Sequence, residues 1–282
     1  MIIEFNRLTQ QQGPKDACGG RDTVPESRYF TSLTGGARMK QMMLYMLVGL
    51  GVFLFSVCTS NAAALKMAAE PEPIEIDLQR TAVVVIDMQN AFISKGGMFD
   101  LRGFDVAPNQ KIIEPISRVC DAARKKGVKV IYIAHVLSPD LREVGPDSSF
   151  WYKSVKMFRE DAKWQDKYLI RGTWGADIVD ALKPQKGDIY VEKPRFSAFF
   201  GTNLDGILKT LNIKYLVFTG CATNICVEAS IRDAGHLGYF PVMLTDATIN
   251  NGPPFMQEST IFNVKLCYGW VTKIENLFQV MK

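Results

Sequence analysis

Short apolar runs rich in valine and isoleucine recur between residue 74 and the carboxyl terminus, with few polar residues inside them. A strand with one face in water alternates apolar and polar residues, whereas a strand buried on both faces is apolar throughout. The runs therefore predict five buried strands, at residues 81–87, 127–135, 187–193, 213–220 and 239–246.

Helical patterns separate these predicted strands. Apolar side chains recur about once per helical turn in residues 108–127, where a glycine ends the pattern, and similarly in residues 202–212 and 223–235. Segments 254–269 and 271–281 are predicted as closing helices. Helices alternating with strands that are apolar on both faces predict an α/β fold, a three-layer sandwich with a mainly parallel, doubly wound sheet.

The connection between Leu137 and Ile189 departs from this alternation because it is long and rich in aromatic residues, namely Trp151, Tyr152, Phe158, Trp164 and Trp174. Long loops in compact domains are usually functional or disordered, and the aromatic content argues against disorder. We expect either a wall or lid of a pocket or a surface insertion with a small core of its own.

The first 65 residues differ from the rest of the chain. Residues 1–38 are polar with scattered glycine and proline, which predicts a disordered or upstream extension. Residues 39–65 place a lysine before an apolar run and a small-residue stretch, the layout of a signal peptide or signal anchor. Residues 74–282 are predicted to form the folded domain.

The position of the translation start decides what this leader would do. A start at Met39 predicts a cleaved signal peptide and a secreted or lumenal protein. A start at Met1 predicts a membrane-anchored protein, with membrane contact confined to residues 41–58.

Composition excludes several classes of protein. The net charge of +4 and the lack of a lysine- or arginine-rich block in the body argue against nucleic-acid binding. Six cysteines in 282 residues are too sparse for a disulfide scaffold. Only two histidines are present, His135 and His236, so few imidazole ligands are available for a metal ion.

Ionisable residues follow the predicted strands at their carboxyl ends. Asp87, His135, Lys193 and Asp246 each end a strand, and Cys226 follows the turn after another. Ligands of parallel α/β sheets bind beyond the carboxyl ends of the strands. A single polar residue there means little, but this convergence predicts a reactive site at one edge of the sheet.

Two cysteines lie close together in the stretch TGCATNICVE. Thr223 is a suitable helix cap and would place Cys226 near the third helical position, where free backbone N–H groups favour a thiolate. Cys221 lies in the turn itself and is expected to pack. Taken alone, Cys226 also fits a buried structural cysteine, but Asp87 and Lys193 at neighbouring strand ends favour a nucleophile.

Three motifs carry a resemblance to a known family: VVVIDMQNAF, VEKPRFSAFFGTNLD and TGCATNICVEASIRDAGHLGYFPVMLTDAT. In this order they resemble the isochorismatase-like cysteine hydrolases, and within them the ureidoacrylate amidohydrolases. The likeness covers roughly residues 74–282. It implies a hydrolase that cleaves carbon–nitrogen bonds other than peptide bonds, with a small amide, ureido or N-carbamoyl compound as substrate and a thioester intermediate.

The resemblance also implies roles for individual residues. Asp87, Lys193 and Cys226 match the family's catalytic triad, and the backbone N–H groups of Ala222 and Cys226 would form the oxyanion hole. A non-proline cis peptide is implied between Cys221 and Ala222.

Candidate substrate contacts lie beside the implied triad. They are Gln89, His135, Phe196 and Phe199, for each of which ordinary packing is the alternative. Nicotinamidases of the superfamily carry a zinc site with more histidines than this chain offers, so we expect no metal and no other cofactor.

Two further expectations concern partners and function class. A homo-oligomer is expected, with a small-molecule substrate as the other partner. The alternative function is a non-catalytic relative that binds a small molecule or a protein partner through the same fold.

Overall fold

The computed structural model describes residues 64–146, 149–161, 164 and 166–282. The predicted extension at residues 1–38 lies outside the described residues, as does all of the predicted leader except Ala64 and Leu65. Among the described residues, no helix has both the length and the apolar character needed to cross a bilayer.

A six-stranded sheet forms the centre of the domain, and every pair of neighbouring strands in it is parallel. A separate antiparallel pair, β1 and β2, precedes it. The strands are β1 Leu65–Met67, β2 Ile74–Ile76, β3 Thr81–Ile86, β4 Lys129–His135, β5 Ile189–Lys193, β6 Tyr215–Cys221, β7 Phe240–Ile249 and β8 Trp270–Thr272. Their order in the large sheet is β5-β4-β3-β6-β7-β8.

Strand β3 shows why its sequence is apolar at every position. Val83 and Val85 belong to the core on one face of the sheet, whereas Ala82, Val84 and Ile86 belong to the core on the other face. Successive side chains of a strand point to opposite faces, so a central strand covered on both sides needs apolar residues throughout.

Nine α-helices surround the sheet in the described part of the chain. They are α1 Asn90–Ile93, α2 Met98–Leu101, α3 Ala107–Lys111, α4 Ile113–Lys125, α5 Phe150–Glu160, α6 Leu204–Thr210, α7 Glu228–His236, α8 Pro254–Asn263 and α9 Ile274–Val280. Two π-helical turns, Thr223–Val227 and Val264–Tyr268, precede α7 and follow α8.

The helices cover both faces of the sheet. Helix α4 buries Ile116 and Val119 in one core, whereas α6 buries Leu204 and α7 buries Ile231 in the opposite core. The predicted three-layer sandwich with a mainly parallel, doubly wound sheet is confirmed.

Three local features differ from the expected pattern. The helix predicted over residues 108–127 is divided at Ile112, because Pro115 has no backbone N–H to donate to the preceding turn. Strand β8 occupies the start of the segment predicted as a helix over 271–281, and three residues are too few to show a period of two. Strand β1 lies ahead of the predicted domain start at residue 74.

The long connection after β4 is held to the strand ends through main-chain oxygens. The side-chain amide of Gln89 donates to the carbonyl of Ala176 at 2.8 Å, and that of Asn90 donates to the carbonyl of Trp174 at 3.0 Å. Residues 174–176 therefore pack against the turn that follows β3, beside the carboxyl edge of the sheet.

Candidate active site

Three strand ends bring an aspartate, a lysine and a cysteine together. Asp87 directly follows β3, Lys193 is the last residue of β5, and Cys226 lies in the π-helical turn after β6. Asp87 adopts a left-handed conformation with φ of 50°, and its N–H donates to the carbonyl of Ile133 on the neighbouring strand. The sheet therefore fixes all three side chains at one edge.

The ammonium group of Lys193 joins the other two side chains. Its Nζ lies 2.8 Å from Oδ2 of Asp87 and 3.4 Å from Sγ of Cys226, and it donates to the carbonyl of Arg195 at 3.1 Å. One ammonium group thus contacts a carboxylate oxygen, a sulfur and a main-chain carbonyl at the same time. Asp87, Lys193 and Cys226 are all buried.

Burial and charge set the protonation of this group. Burial raises the pKa of Asp87 above its ordinary value of 3.8, and Lys193 offsets only part of that rise. Burial alone would lower the pKa of Lys193, but Asp87 and Cys226 raise it above its ordinary value. Lys193 is therefore cationic.

The expected thiolate at Cys226 is wrong for the free protein. Burial, followed by the Asp87 carboxylate, raises the pKa of the Cys226 thiol far above its ordinary value of 9.0, although Lys193 acts in the opposite direction. The thiol and the Asp87 carboxyl group both contact the Lys193 ammonium. Cys226 is thus a neutral thiol in the same buried cluster as Asp87.

The expected cap at Thr223 is also wrong. The turn carrying Cys226 is π-helical, Ala222 occupies its N-cap, and the Thr223 hydroxyl is buried without a hydrogen-bond partner among the described residues. Val227 donates its backbone N–H to the Ala222 carbonyl, five residues earlier. The wider turn places Cys226 against Lys193.

The end of β6 lies in tight contact with β3, which requires a small residue there. Gly220 has φ of 106°, and a Cβ there would lie 2.0 Å from the carbonyl oxygen of Ile86. Cys221 is buried, and its thiol donates to the carbonyl of Asp87 at 3.3 Å. The expected cis peptide between Cys221 and Ala222 is confirmed. Cys221 and Cys226 are both free thiols.

A pocket of about 500 Å³ opens onto the three residues. Asp87, Cys226 and Ala222 form its floor. Its walls are mainly aromatic and aliphatic, and include Phe92, Phe99, Trp151, Tyr168, Leu169 and Phe196. The long segment after β4 therefore contributes to the pocket wall. Of the two alternatives predicted for this segment, a pocket wall or a surface insertion, the structure shows the first.

Two cationic residues that were not predicted as site residues also line this pocket. Arg102 and Lys153 are exposed, and neither forms an ion pair with an acidic residue of the described chain. Arg102 follows the short helix α2 and Lys153 lies in α5, where a lone cation resembles any other solvated residue. Their position gives the pocket an anion-attracting side.

Two of the predicted substrate contacts, His135 and Phe196, line the pocket. Their rings lie edge to face with centroids 6.3 Å apart, and Trp151 packs against both. The pKa of His135 is well below its ordinary value of 6.5, because the ring is buried and because Lys193 and Arg195 carry nearby positive charge.

The other two predicted contacts, Gln89 and Phe199, lie outside the pocket lining. Gln89 is fully buried, donates to the carbonyls of His135 and Ala176, and accepts from the backbone N–H of His135. Its amide group is therefore engaged by the main chain. Phe199 instead stacks on Tyr239 in the core below the sheet, with ring centroids 5.8 Å apart.

Arg195 connects the pocket wall to the lysine. Its guanidinium lies 4.7 Å from the ring centroid of Trp151 and donates to the carbonyl of Glu143, while its own carbonyl accepts from Lys193. A cation over an aromatic ring is attracted by the electron density of the ring face. Arg195 thereby holds α5 against the end of β5.

Within the described residues, histidine, cysteine, aspartate and glutamate side chains form no cluster of three or more that could hold a metal ion. The expectation of a metal-independent protein stays a prediction.

The family follows from a match over most of the folded domain. Residues 81–276 match the model of the isochorismatase domain family. The chain therefore belongs to the isochorismatase family.

Named relatives narrow the class of reaction. The chain is 47% identical over 220 residues to the ureidoacrylate amidohydrolase RutB of Agrobacterium fabrum, a match that covers 77% of this chain and 96% of the relative. It is 47% identical over 219 residues to the enzyme of the same name from Rhizobium rhizogenes, covering 77% and 89%. The chain is thus an amidohydrolase, acting on carbon–nitrogen bonds other than peptide bonds.

Solved structures share the fold. A cysteine hydrolase from Pseudomonas syringae pv. phaseolicola superposes with a TM-score of 0.61 at 27% identity, covering 73% of this chain and 94% of that one. N-carbamoylsarcosine amidase from Thermoplasma acidophilum superposes with a TM-score of 0.54 at 26% identity, covering 70% and 97%.

The predicted localisation, secreted, lumenal or membrane-anchored, is wrong. The match to the ureidoacrylate amidohydrolase of Agrobacterium fabrum takes up 96% of that protein, which leaves too little sequence for a counterpart of the leader at residues 39–65. This relative therefore gives the leader no counterpart, and the export interpretation rested on the leader alone.

Proposed function

We propose that this amidohydrolase cleaves a small amide, ureido or N-carbamoyl compound by attack of Cys226, through a thioester intermediate. The observation that carries the proposal is the contact of one buried ammonium group, that of Lys193, with both the Asp87 carboxylate and the Cys226 sulfur at the floor of a pocket. This arrangement supplies a base, a nucleophile and a compensating charge within reach of one another.

The first half of the reaction forms the acyl-enzyme. Asp87 accepts the thiol proton as Sγ of Cys226 bonds to the substrate carbonyl carbon, and the carbonyl electron pair moves to oxygen. The backbone N–H groups of Ala222 and Cys226 are the proposed donors to that oxyanion. When the carbonyl re-forms, the carbon–nitrogen bond breaks and Asp87 gives its proton to the leaving nitrogen.

The second half restores the enzyme. A water molecule attacks the thioester carbonyl carbon while Asp87 accepts its proton, and the carbon–sulfur bond breaks. Asp87 then returns the proton to Sγ of Cys226. Lys193 stays cationic throughout and compensates whichever of its two neighbours carries negative charge.

The proposed substrate carries a carboxylate. Arg102 and Lys153 supply positive charge at the pocket, while the rest of the wall is largely apolar. The relatives from Agrobacterium fabrum and Rhizobium rhizogenes are named for ureidoacrylate, itself a ureido acid. No feature of the site favours the alternative of a non-catalytic binding protein.

Ammonia release tests the proposal. We expect turnover of 3-ureidoacrylate and 3-ureidopropionate to exceed that of propionamide, which lacks the carboxylate. Cys226→Ala should abolish turnover, whereas Cys221→Ser should retain most of it because a serine hydroxyl can still donate to the Asp87 carbonyl. Mass spectrometry of acid-quenched enzyme should show the acyl adduct on the peptide containing Cys226. An active Cys226→Ala variant, or an adduct on Cys221, would contradict the mechanism.

A further inference from the structure

The imidazole of His135, a residue that lines the pocket, has one nitrogen without a hydrogen-bond partner among the described residues. That nitrogen, Nε2, is buried. The Pro194 carbonyl raises the pKa of the ring, as a backbone acceptor facing the other ring nitrogen does. A neutral imidazole has one donor and one acceptor nitrogen, so a proton on the nitrogen that faces Pro194 leaves Nε2 as the acceptor.

The surroundings keep this ring neutral. Burial opposes protonation, and the positive charges of Lys193 and Arg195 act in the same direction, so the pKa of His135 is well below 6.5. The backbone of His135 is fixed by Gln89, which bonds both its N–H and its carbonyl. The acceptor is therefore held in place and stays an acceptor at neutral pH.

The imidazole of His135 lies next to the strand end that carries Lys193. His135 and Lys193 are paired residues in the register of β4 and β5, and Lys193 contacts both Asp87 and Cys226. Trp151 and Phe196 flank the imidazole with ring centroids 6.4 and 6.3 Å away. A substrate group bound at this end of the pocket would therefore lie beside His135 as well as beside these two rings.

We propose that Nε2 of His135 accepts a hydrogen bond from an N–H group of the substrate, and that this contact selects primary amides and ureido groups over fully N-alkylated ones. A buried acceptor left unpaired is unfavourable, so a ligand without the N–H loses affinity at this position. The substrate class rests on the proposed function, but the hydrogen bond can be tested without turnover.

Alkylation of Cys226 supplies that test. Iodoacetamide carries two amide N–H groups, whereas 2-iodo-N,N-dimethylacetamide carries none and reacts by the same displacement of iodide. The rate of each reaction at Cys226 is measured by mass spectrometry of its peptide in the intact wild-type protein and in His135→Phe. The phenyl ring fills a similar volume, so steric exclusion of the two methyl groups persists and the change in rate ratio reports the hydrogen bond.

We expect the ratio of the iodoacetamide rate to the dimethyl rate to fall by about tenfold in His135→Phe. His135→Asn should keep part of the preference, because its amide oxygen can accept. His236→Phe, which removes the other histidine of the chain, should keep the wild-type ratio. If His135→Phe does not fold, His135→Leu gives the same comparison.

Equal ratios in the wild type and the folded His135 variant would overturn the proposal. The proposed function fails separately, if the wild type releases no ammonia from ureido acids. That result would leave the alkylation ratio unchanged, because alkylation needs no turnover.

Discussion

The ammonium of Lys193 lies 2.8 Å from Oδ2 of Asp87, and the two side chains are 0% and 1% exposed. Breaking such a pair by removing one partner leaves an uncompensated buried charge, which commonly destabilises a protein by about 3–5 kcal/mol. The pair is therefore a structural element of the fold in addition to its proposed role in catalysis.

Lys193→Met should lower kcat by at least about a hundredfold, because Asp87 would then face the developing sulfur anion without a compensating cation. The apparent pKa for alkylation of Cys226 should rise, since Lys193 favours the thiolate. Kinetics and the pH profile of alkylation measure the two effects. Lys183→Met, which removes an exposed lysine, is the control. An unchanged profile with near wild-type turnover would remove Lys193 from the site.

The double variant Asp87→Asn with Lys193→Met should recover much of the free energy of unfolding lost in Lys193→Met alone, because no unpaired buried charge remains. It should nevertheless be inactive. Urea unfolding of the three proteins measures this difference. A double variant no more stable than the single one would show that the ion pair is not the source of the loss.

The midpoint of the acid limb in the pH profile of kcat/KM should lie above pH 3.8. Burial raises the pKa of Asp87 in the folded protein, and only the carboxylate can take the thiol proton, so activity is lost as the pH falls through that raised pKa. The pH dependence of kcat/KM for 3-ureidopropionate measures the midpoint. A midpoint at or below 3.8 would contradict an Asp87 base.

His135 should make the fold sensitive to acid. Its pKa is lowered in the folded state, so below pH 6.5 the unfolded chain binds a proton that the folded chain excludes. The free energy of unfolding therefore falls as the pH drops below 6.5, by up to about 1.4 kcal/mol per pH unit, until the folded protein also binds the proton. Urea unfolding between pH 8 and 5 should show this slope reduced in His135→Phe and kept in His236→Phe. Identical slopes in all three proteins would refute the prediction.

Gly220→Ala should destabilise the fold by more than about 3 kcal/mol. Its positive φ disfavours any side chain, and the added Cβ would lie 2.0 Å from the main-chain oxygen of Ile86. Gly206→Ala in α6 is the matched control, since nothing lies within 4 Å of its added Cβ and alanine favours the helix. Thermal unfolding should separate the two variants clearly, and equal melting temperatures would exclude the clash as a constraint.

Much of the architecture was predictable because a strand that is buried on both faces of a sheet has an apolar residue at every position. Residues 82–86 of β3 illustrate this, since each is apolar and fully buried. The placement of Asp87 and Lys193 at one edge of the sheet was predictable because parallel strands end at a common edge. The resemblance of the three motifs then supplied roles that spacing alone could not.

Other properties depend on contacts between residues distant in sequence. Whether Gln89 bonds substrate or backbone is decided by His135 and Ala176, which belong to other segments. The raised pKa of Cys226 depends on burial and on Asp87, neither of which the local helix signal contains. Arg102 became notable only once its position at the pocket was known.

The attachment of the pocket wall has a consequence for how this scaffold can diversify. Gln89, Asn90 and Arg195 hold the described part of the connection after β4 through the carbonyl oxygens of Ala176, Trp174 and Glu143, atoms that every amino acid possesses. Most side chains of the wall can therefore be replaced without removing its anchors. A library that randomises wall positions such as Lys153 and Tyr168 would alter which molecule is admitted while leaving the strand-end groups in register, so substrate choice can evolve separately from bond cleavage.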